Sequence, residues 1–362
     1  MSSAKLGSPD GLQVRLESAL EPDLPIVDPH HHVRDPAGGP RFLFPELLTE
    51  LSGGHNIVAT VAMECGDMYR ADGAPEMRPV GEVEFLNGVA AMFASGKYGP
   101  ARACAGIVGF ADLRLGARVE PVLDALIAAG GERLRGIRAS AFWHEAYADG
   151  SIALSGGAKE ARALVYGGGM PPHLLLDPAF RAGYACLGSR NLSCDVSIFQ
   201  SQVPDLIDLA RAYPDTNIVA CHFVTPLGLG PFAGKYKEMF APWRASVLQL
   251  ARCPNVFVKL EGMRWAGVAV PGYTMGSDGR FEVQPDSSEF AAAWRPYIET
   301  CTEAFGPGRC MFGSNFNGER SVCSYVNMWN AYKRATVGYS ASERADLFSG
   351  TAARFYRLSI PK

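Results

Sequence analysis

The side chains able to do chemistry in this chain stand at the ends of apolar runs. In IVDPHHHVRD, residues 26–35, an extended strand alternates its side chains, so His30 and His32 face one way and His31 the other. Two imidazoles then converge on one spot, where they can hold a metal ion or meet a substrate carbonyl. His222 closes a second run, NIVACHF, and a third, RCMFGSNFNGER, ends on Ser314, Asn315 and Phe316 before turning through Asn317 and Gly318 to Glu319 and Arg320. Asn315 can orient water or substrate, but an amide cannot take a proton from water. Glu319 is the nearest carboxylate that could, provided the Asn317–Gly318 turn folds it inward; otherwise it pairs with a neighbouring arginine on the surface.

Substrate contacts are expected from Arg138 at the end of LRGIR, which could clamp a carboxylate through two parallel hydrogen bonds. Arg70, in the loop after the second apolar run, and Gln200, at the end of the fifth, join it as candidates. Trp143, Trp265 and Tyr273 lie in two long loops and could wall an apolar substrate. Each arginine has a plainer fate, pairing with a protein carboxylate such as Glu64, Asp67 or Glu261.

These residues need a scaffold that brings distant strand ends together. Eight apolar, β-branched runs can be counted, over 25–32, 57–65, 103–113, 134–140, 192–199, 217–223, 256–262 and 310–316. Between and after them, helical periodicity is expected over 80–95, 118–129, 178–187, 203–212, 235–251, 288–304, 321–335 and 341–356. Buried strands alternating with helices imply a parallel sheet, and eight such units in unbroken rhythm imply an α/β fold closed into a (β/α)8 TIM-type barrel. Active sites of such barrels form at the C-terminal ends of the strands, where the named histidines lie. The expected division is an N-terminal extension, 1–24, and one barrel domain, 25–362. Glycine-rich stretches at 142–172 and 264–287 are long enough to be pocket walls or lids on the C-terminal face.

Composition narrows the partners. A chain of 362 residues, 48% hydrophobic, can bury a large core, and its net charge of −3 offers no general attraction for nucleic acid or an anionic membrane. A small-molecule substrate is the default, with self-association into a homo-oligomer left open. Nine cysteines without CxxC pairs, and no apolar run of membrane-spanning length, point to a reducing, cytoplasmic setting. The first 24 residues have neither a cationic lead nor an apolar stretch like that of a secretory leader.

The combination of VDPHHH, MECGDMYRADG, LRGIR, NIVACH, RCMFGSNF and FSGTAARFY resembles the amidohydrolase-related family of barrel hydrolases, which includes 2-pyrone-4,6-dicarboxylate lactonase and L-fuconolactone hydrolases. The resemblance runs over nearly the whole chain. It implies hydrolytic attack on a lactone or similar carbonyl, with strand-end histidines holding a metal or the carbonyl oxygen and a carboxylate activating water. Relatives commonly carry aspartate where this chain has Asn315, and often histidine where it has Gln200. What remains is His30, His32 and His222, which can form a three-histidine site suited to zinc, or act without metal on the carbonyl oxygen. Family members that decarboxylate aromatic acids make a lyase the second expectation, and a barrel that binds ligand without turnover the third.

Overall fold

The computed structural model describes residues 5–7, 13–15, 17–36, 41–147, 170–263, 268, 270–273, 281 and 283–359. Its centre is an eight-stranded parallel sheet in strict chain order. The strands are β1 (Ile26–His31), β2 (Ile57–Met63), β3 (Arg102–Gly109), β4 (Leu134–Ser140), β5 (Ser193–Ser197), β6 (Ile218–Ala220), β7 (Val256–Leu260) and β8 (Cys310–Phe312). Every pairing from β1 to β8 is parallel, and each runs through a helical return. The barrel closes just beyond β8, where the His32 amide donates to Phe316 O at 2.6 Å and His31 bridges Phe316 in parallel sense. This is the (β/α)8 barrel expected from the rhythm of the sequence. A short antiparallel ribbon of Lys5–Gly7 and Gln13–Arg15 precedes it.

Asp28 fastens the closure. Its carboxylate accepts from Ser314 N at 3.0 Å, Ser314 Oγ at 2.6 Å and Tyr325 Oη at 3.0 Å. Burial pushes this carboxyl up to about 6 despite those bonds. A register shift between Asp28 and His31 separates this stitch from the histidines that follow.

The helices are α1 (Phe44–Leu51), α2 (Val80–Ala94), α3 (Glu120–Gly130), α4 (Pro178–Gly188), α5 (Val203–Ala212), α6 (Tyr236–Leu250), α7 (Ser287–Phe305), α8 (Tyr325–Ala335), α9 (Ala341–Ala345) and α10 (Thr351–Phe355). Local chemistry sets their starts: Asp177 caps α4 through Phe180 N, and Asp286 with Glu289 forms a capping box at α7. The segment 321–335 becomes helical only from Tyr325, because Ser324 serves as N-cap and Gly318–Ser321 is a separate 3-10 turn. Helix α1, eight residues opened by proline, had no long periodic stretch to announce it. Among the described residues no helix is long and apolar enough to cross a membrane.

Among the described residues three apolar clusters result. One lies between barrel and helices; a second fills the barrel floor with Val27, Val61, Met63, Val108, Val219 and Met311 and is plugged from below by Phe355 and Tyr356; the smallest gathers Phe142, Tyr147, Phe199 and Leu227. Above that floor the inward residues turn polar.

Candidate active site

His30 and His32 rise from the end of β1 with their Nε2 atoms 3.3 Å apart. His31 faces the other way and meets Thr60 Oγ1 at 2.7 Å, as strand alternation requires. His222 follows β6 and brings its ring to 5.2 Å, centre to centre, from that of His30. Its backbone is left-handed, as are those of Phe223 and Val224, with φ between 54° and 56°, a conformation costly for such side chains. Such strain persists where the surroundings hold it, and here Gly262 provides the room: a Cβ on it would stand 2.4 Å from His222 Nδ1.

Glu261, just after β7, is the residue on which the histidines converge. Its Oε1 lies 2.6 Å from His30 Nδ1 and 3.3 Å from His222 Nδ1. Both approaches lie off the ring N–H axes, and neither carboxylate oxygen has a hydrogen bond of good geometry. Gly313 leaves it space, since a Cβ there would come within 2.6 Å of Oε2. Glu261 and His30 are wholly buried, and His222, Arg138 and His32 expose 2%, 7% and 8% of their surface, so charge in this site is poorly screened. Burial pushes the Glu261 carboxyl up to about 8, with Lys259 and Arg138 opposing. Burial also holds all three imidazoles well below their usual range, helped by the neighbouring cations Lys259 and Arg138 at His30 and His222 and by Arg138 at His32. The histidines are therefore neutral.

Neutral rings carry one hydrogen each, and the surroundings dictate where. Met63 O, 3.1 Å from His32 Nδ1, can only accept, so His32 presents a lone pair at Nε2. His30 then has two states. With its hydrogen on Nε2 it donates to His32, and its Nδ1 accepts from a protonated Glu261. With its hydrogen on Nδ1 it faces an ionised Glu261, and two lone pairs oppose each other at 3.3 Å. That second state fits a divalent ion, because tetrahedral coordination at imidazole bond lengths of 2.0–2.1 Å separates two nitrogens by about 3.3 Å. A carboxylate behind a ligating histidine is also the usual second partner of such a ring. His222 is less free, with its Nε2 3.4 Å from Arg138 Nη2.

Arg138, at the C-terminal end of β4, points into this centre. Its other contacts are long: 3.2 Å to Glu64 O, 3.9 Å to Glu64 Oε1 and 3.4 Å to Ser197 Oγ, while Nε has no hydrogen bond. Burial works against its charge, but the acidic groups around it, Glu64 first and then Cys221, Glu261 and Asp195, outweigh that and keep it a cation. The other candidates spread outward. Asn315 donates from Nδ2 to Glu319 Oε1 at 3.2 Å, and Glu319 is buried, so the turn does fold inward. Gln200 is buried and accepts from Leu227 N at 3.2 Å, tying together the loops after β5 and β6. Arg70 is paired with Glu84 on the surface. Trp143 is anchored by its amide to Gln202 Oε1, and the Tyr273 hydroxyl donates to Glu289 on α7. Trp265 and most of the two long loops lie outside the described residues.

Sequence reasoning treated Glu261 only as an ion-pair partner for arginine. The signal was there: in VFVKLEG, Lys259 and Glu261 share strand parity, both point into the barrel, and the carboxylate falls at the strand's C-terminal end.

A model of the family described as Amidohydrolase matches residues 27–358. The chain belongs to this family. It is an enzyme, and its relatives fit that placement. The uncharacterized protein y4mH of Sinorhizobium fredii is 30% identical over 357 residues, covering 93% of this chain and 99% of its own. An L-fucono-1,5-lactonase of Burkholderia multivorans is 31% identical over 190 residues, which is 51% of this chain and 58% of the lactonase. The chain thus matches little more than half the length of that enzyme. Among solved structures, an amidohydrolase from Burkholderia multivorans with bound zinc superposes with a TM-score of 0.62 at 25% identity, covering 92% of this chain and 99% of the other.

Proposed function

We propose that this amidohydrolase opens a lactone or related cyclic ester of a small substrate by hydrolysis. The observation that carries the reading is the His32–His30–Glu261 line, whose two hydrogen placements are the two ends of a proton transfer. In the second of these, His30 Nε2 is a bare base and its Nδ1 hydrogen lies on the side of the Glu261 carboxylate, 2.6 Å from Nδ1. A water held there gives its proton to Nε2 while the Nδ1 proton passes to Glu261, and the water oxygen bonds to the acyl carbon. The negative charge that develops on the former carbonyl oxygen is met by Arg138, the cation standing 3.4 Å from His222 Nε2. The ring C–O bond then breaks, and the leaving oxygen recovers the proton from Nε2 as Glu261 returns its own. Nothing is consumed but water.

The relative named L-fucono-1,5-lactonase supports a lactone as substrate, and Arg138 suits either an oxyanion or a substrate carboxylate. A divalent ion, zinc by ligand type, would be held by His30 and His32, with His222, held beside Arg138, as third ligand only by moving closer, and would supply further polarisation of the carbonyl or water. Asn315 and Glu319, bonded to each other, would flank this centre from the β8 side and orient water or substrate. The test is a panel of sugar 1,5-lactones and pyrone lactones, followed by release of the ring-opened acid, with metal content measured before and after chelation. Turnover lost in His30→Ala supports the reading. No lactone opened, or carbon dioxide released from an aromatic acid instead, would sink it.

A further inference from the structure

The His30–Glu261 pair lies beside a thiol. Cys221, the inward residue after β6, is buried, and its Sγ, a ring nitrogen of His30 and a carboxylate oxygen of Glu261 all lie within 4.8 Å of one another. Among the described residues this is the one cluster of metal-ligating side chains so close-set. Glu261 adds a second observation, since it is wholly buried, lies beside Cys221 and His30, and has no well-formed hydrogen bond at either oxygen. The histidine-face ion considered above would bridge His30 and His32 and leave Cys221 untouched.

We propose that His30, Cys221 and Glu261 form a separate inhibitory site for a thiophilic divalent cation such as zinc or cadmium. The donor set is one imidazole, one thiol and one carboxylate, a mixture that favours soft or borderline ions over magnesium or calcium. Binding replaces protons: the thiol releases its proton to solvent as sulfur bonds the ion, and any proton shared by His30 and Glu261 leaves with it. Burial keeps Cys221 a thiol in the free protein, pushed up to about 12, so the ion and not the pH makes the thiolate. An ion seated there removes both ends of the proton relay at once. The site therefore inhibits whatever chemistry the relay serves, and its existence does not depend on the substrate being a lactone.

The test uses metal-stripped full-length protein titrated with cadmium alone, read by the ultraviolet thiolate-to-metal charge-transfer band and by calorimetry. The expected result is a band in the parent that is lost in Cys221→Ser, with affinity falling at least ~10-fold, the effect of losing a principal ligand. His32→Ala should keep the band, since His32 belongs to the other ion position and supplies no ligand here. Thermal melts of both variants establish that they are folded, and the parent's own band needs no variant. A parent without a band, a band that survives Cys221→Ser, or a band lost in His32→Ala would each overturn the proposal. None of these outcomes bears on the lactone panel, so the two readings fail separately.

Discussion

Two layers of buried charge sit one above the other in the barrel and are treated in opposite ways. In the lower layer Lys259 Nζ donates to Asp195 Oδ1 at 2.7 Å, Tyr356 Oη donates to the same oxygen at 2.5 Å, and the ammonium lies 5.3 Å from the Tyr356 ring centre. In the upper layer Glu261, Arg138 and three imidazoles meet at longer or misaligned distances, and Glu261, His30 Nδ1, His222 Nδ1 and Arg138 Nε are left without well-formed bonds. Asp195 Oδ2 is the one comparable gap below. Polar groups are normally paired when buried, so the made bonds below read as structure, and the cluster of unmade ones above fits the proposed site. Breaking the lower pair should therefore show in stability. Lys259→Met strands Asp195 in the barrel and is expected to cost about 3–5 kcal/mol in denaturant unfolding. Adding Asp195→Asn should recover most of that loss. Little change in the single variant would mean the lower layer is not a structural pair.

The upper layer should respond in rate instead. Glu261→Gln preserves shape but cannot accept a proton, so kcat for lactone opening is expected to fall about 10²–10³-fold, the usual share of a proton-transferring group. KM should move little and unfolding stability by less than ~1 kcal/mol, because a neutral amide is easier to bury than a carboxylate. A variant that unfolds while retaining its specific rate would place Glu261 with Lys259 rather than with the histidines.

The contrast between the layers also explains what could be read beforehand. The barrel was legible because eight apolar runs at regular intervals admit few other folds, and His30, His32 and His222 because strand ends in a barrel share one face. Helix edges were less so: 341–356 reads as one helix, yet Asp346–Gly350 forms a π-type turn between α9 and α10. Glu261 is easily passed over because the sequence offers it as one of several carboxylates that could pair with an arginine, while in the folded chain it stands among the histidines and Lys259 reaches down to Asp195. Which of several candidate partners an inward side chain takes depends on depth in the barrel, and neighbouring letters do not encode depth. Arg70 shows the converse, since its company of acids was visible and Glu84 claims it.

A third buried cation, far from both layers, extends the comparison. Lys333 on α8 donates to Leu20 O at 2.6 Å, Glu21 O at 2.9 Å and His55 Nδ1 at 2.9 Å, pinning the segment before β1 to the barrel. His55 must stay neutral to accept that bond, and burial, with Lys333 beside it, brings it down to about 4. A histidine lowered in the folded state and near 6.5 when unfolded contributes its full share above pH 6.5 and loses it as pH falls towards 4. The shift corresponds to about 3 kcal/mol, which solvent screening trims to about 2 kcal/mol. Unfolding free energy measured between pH 7 and 4 should fall accordingly, and His55→Gln should flatten that portion of the curve. An unchanged slope in the variant would remove His55 from the pin.

The smallest effect is expected at Glu319, another buried glutamate of the C-terminal face. Glu319 is as deeply buried as the imidazoles, yet the partner seen at its Oε1 is Asn315 Nδ2, a donor that holds a carboxylate in place. Glu261, by contrast, has two imidazole nitrogens within 3.3 Å and no donor well aligned to either oxygen. A base needs a path for the proton it receives, and only the second arrangement offers one through a ring. Glu319→Gln should therefore reduce kcat by less than ~10-fold, against the 10²-fold or more expected at Glu261. If the order is reversed, water is activated on the β8 side, and the His30–Glu261 pair serves to aim the imidazoles rather than to carry the proton.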